Sequence, residues 1–116
     1  MNNIERARLS LEGLSVADAF GEQLLHNAGS ARADAVSSRK PPPAKRWTWT
    51  DDTAMAISIV EELRDRGAID PAELAQRFSR RYIKDPARGY GRGAHVVLGE
   101  IANGTSYEEA ARSLFG

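Results

Sequence analysis

The sequence predicts an all-α protein, and three observations predict it. Apolar residues recur at three- and four-residue spacing in five segments, and most of these segments carry helix-capping residues at their ends. No stretch of useful length alternates as a half-buried strand does, Arg46 to Thr50 being the short exception.

The first helix is predicted from Ile4 to about Phe20. Ile4, Ala7, Leu11 and Leu14 form its stripe, Leu9, Val16, Ala17 and Phe20 widen it, Asn3 is placed to cap it and Gly21 to end it. Between Gln23 and Thr50 the periodicity disappears. Gly29, Ser30, Ser37, Ser38 and the run Pro41-Pro42-Pro43 predict an irregular connection over 23–50, longer than compact domains usually carry without function. Its basic residues, Arg32, Arg39, Lys40, Lys45 and Arg46, suit a solvated loop face or phosphate contact, and no role is assigned to them.

A second helix is predicted from about Thr53 to Arg66, with Met55, Ile59 and Leu63 at four-residue spacing and Gly67 as its C-terminal cap. Asp70-Pro71-Ala72-Glu73 announces the third. A capping carboxylate, a first-turn proline and a glutamate at the third position precede a stripe of Leu74, Phe78 and Tyr82, ending near Lys84. After the glycine-rich segment Ala87 to Gly93, a fourth helix buries Val97, Leu98, Ile101 and Ala102, with Gly104 beyond it. Ser106-Tyr107-Glu108-Glu109 makes a capping box for a fifth, carrying Ala110, Ala111 and Leu114. That pattern runs to Gly116 without a closing element. Residues 1–116 are therefore expected to be the N-terminal part of a single helical domain, the front of a larger protein.

Composition bounds the function. A chain of 116 residues with 41% hydrophobic content builds one modest core, and sixteen basic residues cancel sixteen acidic ones. Without a net field there is no DNA-binding signal, and any charged ligand must be met locally. The absence of cysteine excludes disulfides, thiolate metal sites and cysteine nucleophiles. No apolar run reaches a membrane span and the N-terminus has no signal-peptide pattern, so the expected compartment is the cytoplasm.

The sharpest local feature is Trp47-Thr48-Trp49-Thr50-Asp51-Asp52-Thr53-Ala54-Met55-Ala56, which leads into the second helix. Two adjacent carboxylates between threonine hydroxyls concentrate hard oxygen donors, suited to Mg²⁺, Ca²⁺ or Mn²⁺. The same residues also suit a plain helix cap complementing the dipole, and spacing alone leaves both readings open. Trp47 and Trp49 share a face in extended backbone, where they either stack on a ligand or anchor the loop. Tyr90, between Gly89 and Gly91, suits either a cleft wall or a buried turn. His26 and His95 lack partners at metal spacing.

Three motifs in order add a resemblance. Gly13-Leu14-Ser15-Val16-Ala17-Asp18-Ala19-Phe20-Gly21 is similar to a G-L-x-x-G-D-A-x-G opening helix, Thr50-Asp51-Asp52-Thr53 to a T-D-D-T metal motif, and Asp85-Pro86-Ala87-Arg88-Gly89-Tyr90-Gly91 to D-P-x-R-G-Y-G. Together they resemble the ADP-ribosylglycohydrolase family, over about Leu11 to Gly116. The resemblance implies a helical bundle whose central cleft holds two Mg²⁺ ions, or Mn²⁺ in their place, and hydrolyses the glycosidic bond of an ADP-ribosylated protein or small molecule. It makes Thr50, Asp51 and Asp52 first-half metal ligands, with Asp51 and Asp52 as the catalytic carboxylates, and gives Asp18 a supporting hydrogen bond. It places the second metal motif in a C-terminal half that follows this chain; the candidate substrate contacts are Glu22, unless the family glutamate's role is absent, and Gly89, Tyr90 and Gly91, where glycines let backbone approach a ligand. Two positions depart from the pattern: Ala17 replaces a glycine, and Leu25 stands where many members carry a glutamate, with Glu22 three residues earlier. The competing expectation is a catalytically inactive, truncated helical module that serves binding or assembly.

Overall fold

The computed structural model describes residues 1–26, 29–41 and 46–115. Pro42, Pro43 and Lys45, singled out above, lie outside the described residues, as does Gly116. Among the described residues six helices follow one another: α1 (Asn3–His26), α2 (Ser30–Ser38), α3 (Asp51–Arg66), α4 (Pro71–Lys84), α5 (Arg92–Ala102) and α6 (Tyr107–Phe115). No strand occurs among the described residues, and Arg46 to Thr50 is an irregular lead into α3.

Two expectations are corrected at the N-terminal side. Gly21 does not end α1, which continues to His26. An interior glycine costs only about 1 kcal/mol relative to alanine, and Glu22, Gln23, Leu24 and Leu25 are good enough helix formers to carry the helix across it. Nor is 23–50 irregular throughout, because Ser30–Ser38 is helical. Alanine at positions 31, 33 and 35 supplies the propensity without an apolar stripe, and Ala35 is the helix's buried residue. Arg32 then donates to the carbonyls of Leu24 at 2.7 Å and Leu25 at 3.1 Å, satisfying acceptors that the end of α1 leaves open. The α1 cap also moves by one residue. Asn2 Oδ1 accepts from Glu5 N at 2.9 Å while Glu5 Oε2 accepts from Asn2 N at 2.7 Å, a reciprocal box.

The later caps stand where the residues predict them. Gly67 adopts the left-handed conformation, φ 74°, and donates to Leu63 O. Asp70 accepts from Glu73 N at 3.1 Å ahead of Pro71, and Ser106 Oγ accepts from Glu109 N at 3.2 Å. Packing runs mainly between neighbours, α3 on α4, α4 on α5 and α5 on α6, while α1 returns across α2 to pack on α3. One core cluster joins Ala54, Tyr90 and Leu98 beneath Trp49, Phe78 and Tyr82; a second joins Ala75, Ile101 and Ala110.

α3 buries a different face from the predicted stripe. Ile59 and Leu63 are 38% and 37% exposed, whereas Ala54, Ser58 and Glu62, also four apart, are buried. The reason is α4, which brings charge to that face: Arg77 Nε lies 2.7 Å from Glu62 Oε2 and its Nη1 3.1 Å from Asp65 Oδ2. Arg81 donates to Ser58 Oγ at 3.0 Å and to Glu61 at 2.8 Å. The α3–α4 contact is therefore held by ions as much as by apolar burial. No helix among the described residues is long and apolar enough to cross a membrane.

Candidate metal and substrate cleft

The cleft is built where α1 crosses the start of α3. Thr50, extended at φ −112° and ψ −164°, is the N-cap residue of α3, yet its hydroxyl caps nothing in its own helix. It is used across the interface instead. Asp18, on α1, accepts four hydrogen bonds: Thr50 N at 2.8 Å, Thr50 Oγ1 at 2.6 Å, Thr53 N at 3.3 Å and Thr53 Oγ1 at 2.6 Å. One carboxylate thus satisfies the amide and the hydroxyl of both threonines. Burial alone would raise the Asp18 pKa, but the bonds from Thr50 and Thr53 outweigh it and hold the carboxyl below its ordinary range. The expected supporting hydrogen bond is present, and it is fourfold.

With Thr50 and Thr53 turned toward Asp18, the two acids between them are left for the cleft. Thr50, Asp51 and Asp52 line a concavity of about 420 Å³ whose other walls are Ala17, Asp18, Gly21, Glu22 and Leu25 of α1 and Gly89 of the α4–α5 loop. Among the described residues neither Asp51 nor Asp52 forms an ion pair. Burial first, then the charge of Asp52, and to a smaller degree that of Asp18, push the Asp51 carboxyl above its ordinary pKa. Two carboxylates thus stand side by side with no ion-paired cation among the described residues. A larger apolar groove of about 490 Å³ lies among α4, α5 and α6, and no carboxylate lines it.

Donor chemistry decides which ion this arrangement suits. Asp51 and Asp52 offer oxygens, and Thr50 Oγ1, having given its hydrogen to Asp18, keeps its lone pairs. This is a hard-cation donor set, and a divalent ion would offset the mutual repulsion of the two carboxylates. It is also short: among the described residues no group of three or more His, Cys, Asp and Glu side chains is placed to hold a metal ion. The residues fit part of a Mg²⁺ shell.

The remaining predicted residues separate. Glu22 is on the cleft wall, its Oε1 2.5 Å from His26 Nε2 one helical turn on, and Leu25 lies beside it on the same wall. Gly89 reaches the cleft with φ 84°, a conformation that favours glycine; a β-carbon built there would lie 3.8 Å from Asp51 Oδ1 and from Thr50 Cβ. Tyr90 instead enters the core, 6% exposed, edge-on to Tyr82 at 5.1 Å. Burial, followed by the Asp51 charge, raises its phenol pKa. Gly91 is the N-cap of α5, and neither it nor Tyr90 lines the cleft. The tryptophans anchor the lead into α3: Trp47 packs on Phe20 at 5.6 Å and Trp49 lies beneath the Arg88 guanidinium. His95 meets Tyr82, Nδ1 to phenol oxygen 2.7 Å.

Arg88 and Thr53 carry structure around the site that residue type alone does not signal. Asp51 N donates to Arg88 O at 2.7 Å, so the α4–α5 loop is fastened to the first turn of α3.

Comparison with known proteins gives the chain a family. The family profile described as ADP-ribosylglycohydrolase matches residues 1–115. ADP-ribosylhydrolase ARH3 of Mus musculus is 35% identical over 111 residues, covering 87% of this chain and 30% of that protein. The protein of the same name from Bos taurus is 42% identical over 70 residues, 60% of this chain and 16% of the relative. That from Homo sapiens is 46% identical over 55 residues, 47% of this chain and 15% of the relative. The chain spans less than a third of the length of these curated relatives.

Proposed function

We infer function from one premise: this chain belongs to the ADP-ribosylglycohydrolase family, whose profile covers nearly all of it. The proposed activity is magnesium-dependent hydrolysis of the glycosidic bond in an ADP-ribosylated protein or small molecule, in the cytoplasm, with this chain supplying half of the metal site. The observation that carries it is the Asp51-Asp52 couple at the start of α3, without an ion pair among the described residues, open to a cleft and buttressed by Asp18.

Thr50, Asp51 and Asp52 would hold Mg²⁺, or Mn²⁺ in its place. A bound pair of divalent ions supplies positive charge to offset what develops on the reacting sugar, and fixes its hydroxyls. The chain's own residues do the rest. Asp18 accepts the Thr50 hydroxyl hydrogen, leaving oxygen lone pairs for another partner. Glu22, across the cleft, would accept a hydrogen bond from water or a ribose hydroxyl. Gly89 lets the wall approach without a side chain.

Calorimetric titration with Mg²⁺ and Mn²⁺, run beside release of ADP-ribose from modified arginine and serine peptides, tests this. Mg²⁺ prefers about six oxygen ligands, and a two-metal site holds its ions about 4 Å apart, so half a cage binds loosely and turns nothing over. The 116-residue chain should bind weakly, lose binding with Asp51→Ala and release no ADP-ribose. A longer version should hydrolyse, and Asp51→Asn or Asp52→Asn should remove turnover while leaving the melting temperature in place. Metal-independent turnover, or full activity from the 116 residues, would show the mechanism to be wrong. Leu25 on the cleft wall favours the second reading, a non-catalytic helical module; a longer version that binds metal and ADP-ribose without turnover would establish it.

A further inference from the structure

Arg88 fastens the α4–α5 loop to the lead into α3 in two directions at once. Its carbonyl accepts Asp51 N–H at 2.7 Å, occupying a first-turn amide that no helix carbonyl can reach. Its guanidinium runs the other way, donating from Nη1 to Trp49 O at 3.2 Å and from Nε to Asp85 Oδ2 at 2.8 Å. The guanidinium carbon stands 3.7 Å from the centre of the Trp49 ring. Residues 49 and 51, on either side of Thr50, are thus both held by residue 88.

The side chain does not line the cleft, so it neither meets a ligand there nor neutralises Asp51 and Asp52 directly. Its charge is taken up by Asp85 and by the indole face. We propose that Arg88 is a positioning residue for the carboxylate pair, clamping Trp49 and Asp51 so that Thr50, Asp51 and Asp52 keep one arrangement toward a divalent cation. The inference rests on the reading of Asp51 and Asp52 as cation ligands. A planar fork stacked on an indole is needed for it, because a lysine ammonium is a compact point charge that does not stack as a plane.

Two measurements on the 116-residue chain test it: amide hydrogen exchange at Asp51, and Mn²⁺ affinity by titration of the free-ion EPR signal. Wild type is compared with Arg88→Gln, Arg88→Lys, Asp51→Asn and, as a stability control away from the cleft, Ile101→Val. Arg88→Gln should speed exchange at Asp51 relative to the α3 interior and weaken Mn²⁺ binding about tenfold, the scale of lost support around metal ligands. Arg88→Lys should recover part of both, and Ile101→Val should lower the melting temperature while changing neither. If Asp51→Asn binds Mn²⁺ as wild type does, the cation reading fails, and exchange at Asp51 alone then decides whether Arg88 positions it. Unchanged Asp51 protection in Arg88→Gln overturns the proposal, and so does a loss of affinity matched by Ile101→Val.

Discussion

Asp18 shows how one side chain can build a site without being its reactive group. Four donors converge on it from Thr50 and Thr53, and an amide in its place would turn an NH₂ group toward some of them. Asp18→Asn is therefore expected to cost about 2 kcal/mol, the scale for hydrogen bonds to a charged group, visible as a lower urea midpoint at unchanged slope. An unchanged midpoint would mean that the threonines find water just as well. Much at this scale was legible in the sequence: the adjacent aspartates, their place at a helix start, and a supporting role for Asp18. Tyr90 was open between cleft and core, since a tyrosine between glycines fits both; packing against Tyr82 and Leu98 decided for the core. The Arg88 clamp was not legible, because half of it is a main-chain carbonyl and no residue type reports where a carbonyl points.

At the scale of elements, caps were read more reliably than faces. Gly67, Asp70 and Ser106 act locally, within a few residues of sequence, and stand as predicted. The buried face of α3 depends on what packs against it, and there apolar spacing misleads: Glu62 is fully buried while Ile59 and Leu63 are half exposed. The α2 helix escaped for the opposite reason, since alanine propensity leaves no stripe to read. Glu62 faces Arg77 as a close charge pair with poor hydrogen-bond angles, so the contact is Coulombic more than directional. Glu62→Ala, which leaves Arg77 with Asp65 as its close partner, should destabilise the chain, visible as a lower urea midpoint. Glu62→Leu combined with Arg77→Leu should recover much of that loss in the same denaturation experiment. A double variant no better than the single one would show that the pair contributes more than it costs to bury.

The whole molecule is spread out for its length. Its radius of gyration is 16.8 Å, against about 13 Å for a compact domain of this size, and its extents are 47 × 40 × 24 Å. The α1 stripe read from the sequence exists, but Leu9 and Val16 are 55% and 60% exposed and Ala19 is the helix's buried residue. Periodicity predicts which face is apolar; it does not say that anything covers it. With an open apolar groove among α4, α5 and α6 as well, the 116-residue chain should enhance ANS fluorescence in the absence of denaturant. No enhancement would mean that these surfaces close on one another in solution.

The return of α1 across α2 to reach α3 also has a kinetic meaning. Contacts from α3 through α6 join neighbours and close short loops, whereas Asp18 must find Thr50 and Thr53 across 32 and 35 residues. Loop closure is an entropic cost met before a long-range contact can repay it, so the local helices should condense first and α1 should dock late. Asp18→Ala should then leave the refolding rate nearly unchanged and accelerate unfolding, while Ile101→Val slows refolding in stopped-flow chevrons. On that order of events the carboxylate cleft is the last part of the chain to exist as it folds and the first to be lost when it opens.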